Sequence, residues 1–469
     1  MSISTFTGLE TALRAVLAQQ QALNVTGHNI ANASTTGYTR QSTQLQASAP
    51  LQASPGMLLG TGVDVVSYQR IRDQFLDVQL RAQTMLQGAA DASSDGLGQV
   101  EGVFNEPSDT GLNSLLGQYW SAWQNVANSP EDVATRQALV EAATSLATGF
   151  NSISSQLTTI GAQTATNTQL TLDEVNAHAS DLLNLNKAIF TATAAGNSPN
   201  DLLDQRDVVL DKLSKLGNVS VTDLGDGTIK LMFDGVTLVN GVTNQTITES
   251  GGTIANALTP TPETATPSAT TGKLGALIAL RDTTIPAYKS QLDTLAATLI
   301  KQTNAYQAGG VDANGVTRTG GFDLTGTAGV AFFTGTNAGT IAVNVTASQV
   351  AAASATGKPG DNTNALRIAA MANDATLTPL GGTTINGAYA KLVTSIGSDA
   401  QAANRQASNA KVLVDTLTSR RESVSGVSLD EEMTNMIRFQ QGYQAAARAL
   451  TAMDDALSLL ITRTGRAGL

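Results

Sequence analysis

The chain has 469 residues, of which 41% are hydrophobic, 4% aromatic and 14% charged; that length allows several cores, and two to four domains are expected. A net charge of −11 and a pI near 4.7 argue against nucleic acid as a partner, because its phosphates would repel the chain. There is no cysteine and only two histidines, His28 and His178, which removes disulfides, thiol nucleophiles and Cys/His zinc sites together. No stretch approaches the ~20 apolar residues of a membrane span. The N-terminus also lacks a basic start followed by a roughly 7–15-residue apolar run, so no cleaved signal is expected. The chain is then either cytoplasmic or leaves by a route that reads an uncleaved, polar N-terminus.

A first amphipathic helix is expected from about Ser4 to Ala33, stopped by the turn-forming Ser34-Thr35-Thr36-Gly37. Residues 41–68 alternate polar and apolar positions around Pro50, Pro55, Gly56, Gly60 and Gly62, which reads as extended strands and turns. Helical periodicity resumes from Ile71 to Leu86 and again over about 111–126, 130–160 and 165–192. Leu112, Leu115, Leu116, Trp120 and Trp123 fall on one side of a helix, so both tryptophans read as core. At 197–216 a helix begins behind Ser198-Pro199, with acidic residues early and Lys212 and Lys215 late, an order that complements the helix dipole.

The period then switches to two. Val219–Val221, Ile229–Phe233 and Thr237–Val239 read as short strands, with Asp226-Gly227 and Asp234-Gly235 as hairpin turns. Residues 245–272, rich in Thr, Ala, Pro and Gly, read as a loose loop. Helix returns at 273–307, a second Gly/Thr-rich β-like segment covers about 309–350, and a mixed region reaches 388. Helices then occupy about 389–424 and 428–463.

The two ends carry matching patterns. Leu9, Val16, Leu23 and Ile30 recur every seventh residue, as do Met436, Tyr443, Leu450 and Leu457, the latter flanked by Met433, Ala446, Met453 and Leu460. A seven-residue apolar repeat makes a narrow seam that buries itself against another helix. Each end is the nearest partner for the other, so the intervening chain leaves and returns. The expected fold is mainly α with inserted β domains: a discontinuous terminal coiled coil, an elongated helical body and outer β-rich regions. The units expected are 1–40 with 425–469; 41–216 with 273–308 and 389–424; a β insertion at 217–272; and a β-rich or mixed outer region at 309–388.

Several motifs resolve to structure rather than chemistry. Ser428-Leu429-Asp430-Glu431 is a capping box in which the Ser428 hydroxyl meets the Glu431 N–H and the Glu431 carboxylate reaches back to the Ser428 N–H. Asp312-Ala313-Asn314-Gly315 resembles the middle of a calcium loop, but the downstream Glu is missing, leaving a hairpin turn. Gly272-Lys273 and Gly357-Lys358 are followed by Leu and Pro, so neither is a phosphate-binding loop. No catalytic residue, cofactor or metal is assigned, and neither His28 nor His178 has a catalytic constellation around it.

Two polar segments carry the functional reading. His28-Asn29-Ile30-Ala31-Asn32-Ala33 runs on through Gly37-Tyr38-Thr39-Arg40-Gln41. Asn29, Asn32 and Arg40 are costly to desolvate alone, and Arg40 suits the carboxylates or carbonyls of a neighbouring subunit. The second is the run from Gln440 to Arg448, in which small residues permit close helix approach and Gln440 and Arg448 supply polar contacts at the seam edge. Asn29, Asn32, Gly37, Tyr38, Arg40, Gln440 and Arg448 are the candidate polar interface residues.

The stretch NIANASTTGYTRQ resembles the signature shared by rod, hook and hook-associated proteins of the bacterial flagellum. Tyr38-Thr39-Arg40-Gln41 and the C-terminal GVSLDEEMTNMIRFQQGYQAAARALTAMDDALSLL are similar to the hook-associated protein 1 family, more than to hook proteins. NDLLDQRDVVLDKLSKL, Phe332-Phe333 and GDNTNAL at 360–366 extend the likeness inward. The resemblance implies a non-enzymatic structural protein at the hook–filament junction, exported unfolded through the flagellar type III apparatus with a chaperone bound near its C-terminus. It implies an inner layer of terminal helices lining the channel and, as partners, further copies in a ring, the hook protein and a second junction protein. A hook or distal rod protein is the nearest alternative, and a secreted adhesin or enzyme with coiled-coil ends a more distant one. A single-seam helix is marginal in water, so about residues 1–40 and 430–469 are expected to be disordered in the monomer and to fold on assembly.

Overall fold

A computed structural model of the chain describes residues 6–54, 57–258 and 261–464. The expected helix start at Ser4 and the expected turn residues Pro55 and Gly56 lie outside the described residues, as does the side chain of Leu460.

Among the described residues ten α-helices carry the fold: α1 (Thr7–Ala31), α2 (Gln74–Phe104), α3 (Leu112–Asn128), α4 (Val133–Ala194), α5 (Asn200–Leu216), α6 (Gly272–Ala279), α7 (Ile285–Gln307), α8 (Thr363–Ala370), α9 (Ile385–Ser425) and α10 (Leu429–Thr464). A π-turn, Leu280–Thr284, joins α6 to α7. The long helices lie against one another: α2 on α9, α1 on α10, and α4 on both α3 and α5.

The spine is α4, 62 residues in one helix, roughly 93 Å at 1.5 Å per residue. The periodicity predicts two helices with a break near Gly161. The structure has none, because one helical glycine costs only about 1 kcal/mol while Leu157, Thr164 and Thr168 are buried on either side of it. The first half of α4 packs Leu139, Leu146 and Phe150 into an aromatic core with Tyr119, Trp123, Phe332, Phe333 and Tyr288. Its second half packs Leu172, Val175 and Leu182 against Leu210 and Leu213 of α5 and the strand residues Leu231, Phe233, Leu238 and Ile254. One helix therefore spans both cores.

Likewise α2 runs 18 residues beyond the expected end at Leu86. Its glycines are contact points rather than breaks: a Cβ on Gly88 would lie 2.0 Å from the Lys215 carbonyl oxygen, and one on Gly96 would lie 2.5 Å from Leu280. Small residues let the helices approach to backbone contact.

The β structure is small and antiparallel. Gln41–Ala47 pairs with Val63–Arg70, with a bulge at Gln44/Leu45, and Leu51–Ser54 pairs with Met57–Leu59. A four-stranded meander follows α5: Val219–Asp223, Ile229–Phe233, Val236–Asn240 and Thr243–Asn244. Its Asp234-Gly235 turn has positive φ at both residues, +46° and +89°, as a two-residue hairpin requires. The stretch expected as a loose loop holds a second sheet, Ile247–Ser250, Thr253–Asn256 and Thr264–Ala265. The missing apolar residues there are replaced by polar ties: Glu263 accepts from Thr237 N–H at 2.6 Å and from Asn256 Nδ2 at 2.9 Å.

In 309–350 only two-residue strand pairs form. Side chains of α7 hold that region instead: Asn304 bonds both N–H and C=O of Phe333, and Gln307 bonds Ala351 N–H and Gln349 C=O. Asn364, within GDNTNAL, donates to the carbonyls of Tyr306 and Ala351.

Candidate functional site

The helices α1 and α10 run antiparallel, and three contacts fix their register. Gly8 lies under Met453 and Gly442 under Gln19, while Asn29 bonds Glu432. Eleven residues forward on α1 match eleven back on α10, and ten more match ten. Both contact glycines let the helix axes close in.

The buried positions of α1 are Ala12, Ala18, Ala22, Thr26 and Asn29, with the predicted seam residues Leu9, Val16, Leu23 and Ile30 half-buried beside them. On α10, Met436, Leu450 and Leu457 are half-buried and Tyr443 is exposed. The seam expectation is thus corrected in detail: alanines and glycines make the closest contact and the larger residues flank it. Leu13 and Leu17 of α1 and Met433, Ile437, Met453 and Leu459 of α10 remain exposed, so the helix pair keeps a bare apolar stripe.

At the root of this pair lies a buried polar network. Asn29, 1% exposed, donates through Nδ2 to Gln41 C=O at 2.9 Å and to Glu432 Oε2 at 3.1 Å. Its Oδ1 accepts from Tyr38 O–H at 2.7 Å and from Gln41 N–H at 3.0 Å. Arg40 donates from Nε to Glu432 Oε1 at 2.8 Å and from one terminal nitrogen to Glu431 at 2.7 Å. Its own N–H donates to Ser425 C=O at 2.9 Å. Because Tyr38 donates to Asn29, the His28 Nδ1 at 3.0 Å from that hydroxyl is its donor. Burial, then the carboxylates of Asp201, Asp204 and Glu432, push the Tyr38 phenol above its ordinary value, so it stays a proton donor.

Two expectations change here. The carboxylates that Arg40 meets are the chain's own, not a neighbour's, because the turn after α1 brings the guanidinium over the first turn of α10. The reciprocal arm of the capping box is absent for the same reason: Ser428 Oγ accepts from Glu431 N–H at 3.5 Å, but the Glu431 carboxylate goes to Arg40. In the structure α1 and α10 lie against each other and are joined at this polar root. Asn32 Nδ2 caps the end of α1 through His28 C=O at 3.0 Å, and Gly37 turns at φ +79°. Gln440 and Arg448 are exposed.

Below the root lies a cluster that the sequence reading misses. Asp204, Asp207 and Asp211 share one face of α5. Arg70 bonds Asp204 and Asp207 at 2.8 Å each; Arg72 bonds Asp207 at 2.7 Å and Asp77. Arg81 bridges Asp207 and Asp211, and Arg421 bonds Asp211 at 2.6 Å. Burial alone would push the Asp207 carboxyl up, but Arg72, Arg70 and Arg81 hold it below its ordinary value. The cluster ties the 41–70 hairpin, α2, α5 and α9 at the place where the terminal pair joins the body. The available signal was the recurrence of Asp every three or four residues from 201 to 211, read as dipole ordering alone. Among the described residues no group of three or more His, Cys, Asp or Glu could hold a metal ion, and no helix is long and apolar enough to cross a membrane.

Comparison with known proteins places this geometry. Residues 97–333 match the model of the flagellar hook-associated protein FlgK helical domain. Residues 9–39 match that of the flagella basal body rod protein, and 419–463 that of the flagellar basal body rod FlgEFG protein C-terminal region. The chain is 35% identical to flagellar hook-associated protein 1 of Bacillus subtilis over 99% of both chains. It is 25% identical to that of Escherichia coli, covering 97% of this chain and 99% of the relative. The flagellar hook junction protein FlgK of Burkholderia pseudomallei shares the fold, with a TM-score of 0.64 at 18% identity over 74% of this chain and all of that one.

Proposed function

The chain belongs to the flagellar hook-associated protein 1 family, and on that premise we propose how its architecture serves the flagellum. It is a structural component of the bacterial flagellum, the adaptor at the hook–filament junction on which the filament is assembled. It belongs to a self-assembling axial family, with hook and filament as its neighbours.

In our reading the terminal pair α1–α10 is the inner, assembling part and the 41–424 body stands outside it. The observation that carries this is the apolar stripe left on a helix pair whose root is locked: Leu13, Leu17, Met433 and Ile437 are exposed although the helices already face each other. Leu9, Val16, Leu23 and Ile30 with Met436, Tyr443, Leu450 and Leu457 then complete their burial against further copies arranged in a ring. Asn32, Gln440 and Arg448 supply polar contacts at its edge, while Asn29, Gly37, Tyr38 and Arg40 shape the root from within. A second junction protein, an export chaperone and the type III apparatus complete the partners, and the chain performs no catalysis. A cysteine-free chain suits such an exported subunit, because it crosses unfolded without cross-linking.

Deleting the gene and viewing the cells by electron microscopy tests this. Complete hooks without filaments, with flagellin shed into the medium, are expected. Missing hooks would move the protein to the hook or rod, and intact filaments would overturn the reading.

A further inference from the structure

The body holds two cores, and α4 crosses from one to the other. Its buried apolar residues stop at Leu157 in the aromatic core and resume at Leu172 in the second. Between them lie residues 158–171, about 21 Å of helix, whose buried side chains are Thr164, Thr168 and Thr171. The hydroxyls of Thr158, Thr159, Thr164, Thr166, Thr168 and Thr171 each bond the carbonyl four residues back. Over the longer remainder of α4 only Thr144, Thr148, Ser180 and Thr191 do the same. Such bonding slightly destabilises and bends helices. Gly161 sits in the same stretch, where a Cβ would meet only Ile285, at 3.9 Å.

The elements that cross beside α4 are weakened at the same level. Ile278 belongs to the second core and Leu280 to the aromatic one, and the chain passes between them as it enters the π-turn Leu280–Thr284. Pro286, two residues further on, has no N–H to give the preceding turn. On α2, Gly96 lies against Leu280, and a Cβ on Gly98 would have nothing within 4 Å. Here α9 passes with Ala400 and Ala403 buried, tied by Tyr288 O–H to Asp399 at 2.6 Å and by Ser94 to Asn404. Glycines, π-turns and hydroxyls that bond back are identifiable causes of helix bending. Three of the four crossing elements carry one of them at this level.

We propose that this level is a hinge, at which the body bends as two rigid parts. The aromatic core forms one part; the second core, with α5 and the strands after it, forms the other. Close-packed cores resist deformation, so bending collects where apolar packing gives way to hydroxyls and glycine. The helices stay continuous, because a hydroxyl that bonds back keeps a carbonyl satisfied while its main-chain bond lengthens. What the hinge serves rests on the junction reading: a body that bends lets one subunit follow both hook and filament while its root stays locked. That the hinge exists does not rest on it, and the purified chain tests it.

Because the chain has no cysteine, spin labels go only where they are placed. Leu366→Cys on α8 and Lys212→Cys on α5, both exposed, span the hinge. Leu366→Cys with Gln137→Cys, on the exposed side of α4, stays within the aromatic part. Double electron–electron resonance on the whole chain should give a distance distribution at least twice as wide for the first pair as for the second. Adding Gly98→Ala and Gly161→Ala, at positions with room for a methyl, should narrow the first towards the second. Equal widths for the two pairs, or a width that the alanines leave unchanged, would overturn the proposal. Hydrogen exchange reads the same level without any substitution. Amides of 158–171 should exchange at least tenfold faster than those of 139–157 and 172–189, and uniform protection along α4 would refute the hinge. Either failure leaves the junction role intact, since that role is tested by deletion of the gene.

Discussion

Asn29→Ala probes the polar root directly. The side chain makes four hydrogen bonds in a site that is 1% exposed: it donates to Gln41 C=O and to Glu432, and accepts from Gln41 N–H and from Tyr38 O–H. At about 1 kcal/mol net for each bond the loss comes to about 4 kcal/mol. Glu432 keeps Arg40, but the Tyr38 O–H and the Gln41 N–H and C=O lose their partner, so that figure is a lower bound. The loss falls on the joint between α1, the following turn and α10, not on the aromatic core. Amide exchange of the monomer reads this locally. Opening at Thr39–Gln41 and at the first turn of α10 should become roughly a thousandfold more frequent, since each 1.4 kcal/mol is a factor of ten. Amides around Trp123 and Phe150 should keep their rates. A change of less than tenfold at the root would refute the claim that Asn29 locks the two ends together.

Leu450→Asp puts a charge on the half-buried seam of α10 and should cut incorporation into isolated hook–filament complexes more than tenfold, scored by blotting. Normal incorporation would contradict an assembling role for that face. Gly88→Ala sets a methyl against the Lys215 carbonyl and should destabilise the body by about 1–3 kcal/mol in urea unfolding, as overpacking does; an unchanged midpoint would show that α2 and α5 can separate freely. Burial raises the Asp234 carboxyl from 3.8 to about 6. A raised folded value means that this one group's contribution to stability is full below about pH 4, falls as pH rises towards 6 and levels above it. Asp234→Asn should therefore stabilise the protein at pH 7 by up to about 3 kcal/mol and abolish that fall; a variant with the wild-type pH profile of its urea midpoint would contradict this.

Much of the architecture is legible because periodicity reports which face of an element is buried. The heptads at both ends, the helices from 385 onward and the three strands after Leu216 follow from spacing alone. What stays hidden is set by partners distant in the chain. Gly88 and Gly96 look like helix breakers until Lys215 and Leu280 are seen against them. The break expected at Gly161 vanishes because packing on both sides outweighs one glycine. The 247–265 sheet lacks the alternating apolar residues that announce strands, since Glu263 and Asn256 replace them with hydrogen bonds. Arg40 could be assigned a carboxylate, but whether that carboxylate is its own or a neighbour's depends on how the turn at Gly37 returns the chain. The Arg–Asp cluster is written in four separate segments, and only the α5 face of it shows a period.

The most direct test of the account is to locate the protein on the flagellum. Gold-labelled antibody against the 219–265 strands, applied to isolated hook–filament complexes, should mark a narrow band between hook and filament. Label along the full length of the hook, or along the filament, would contradict the assignment to the junction.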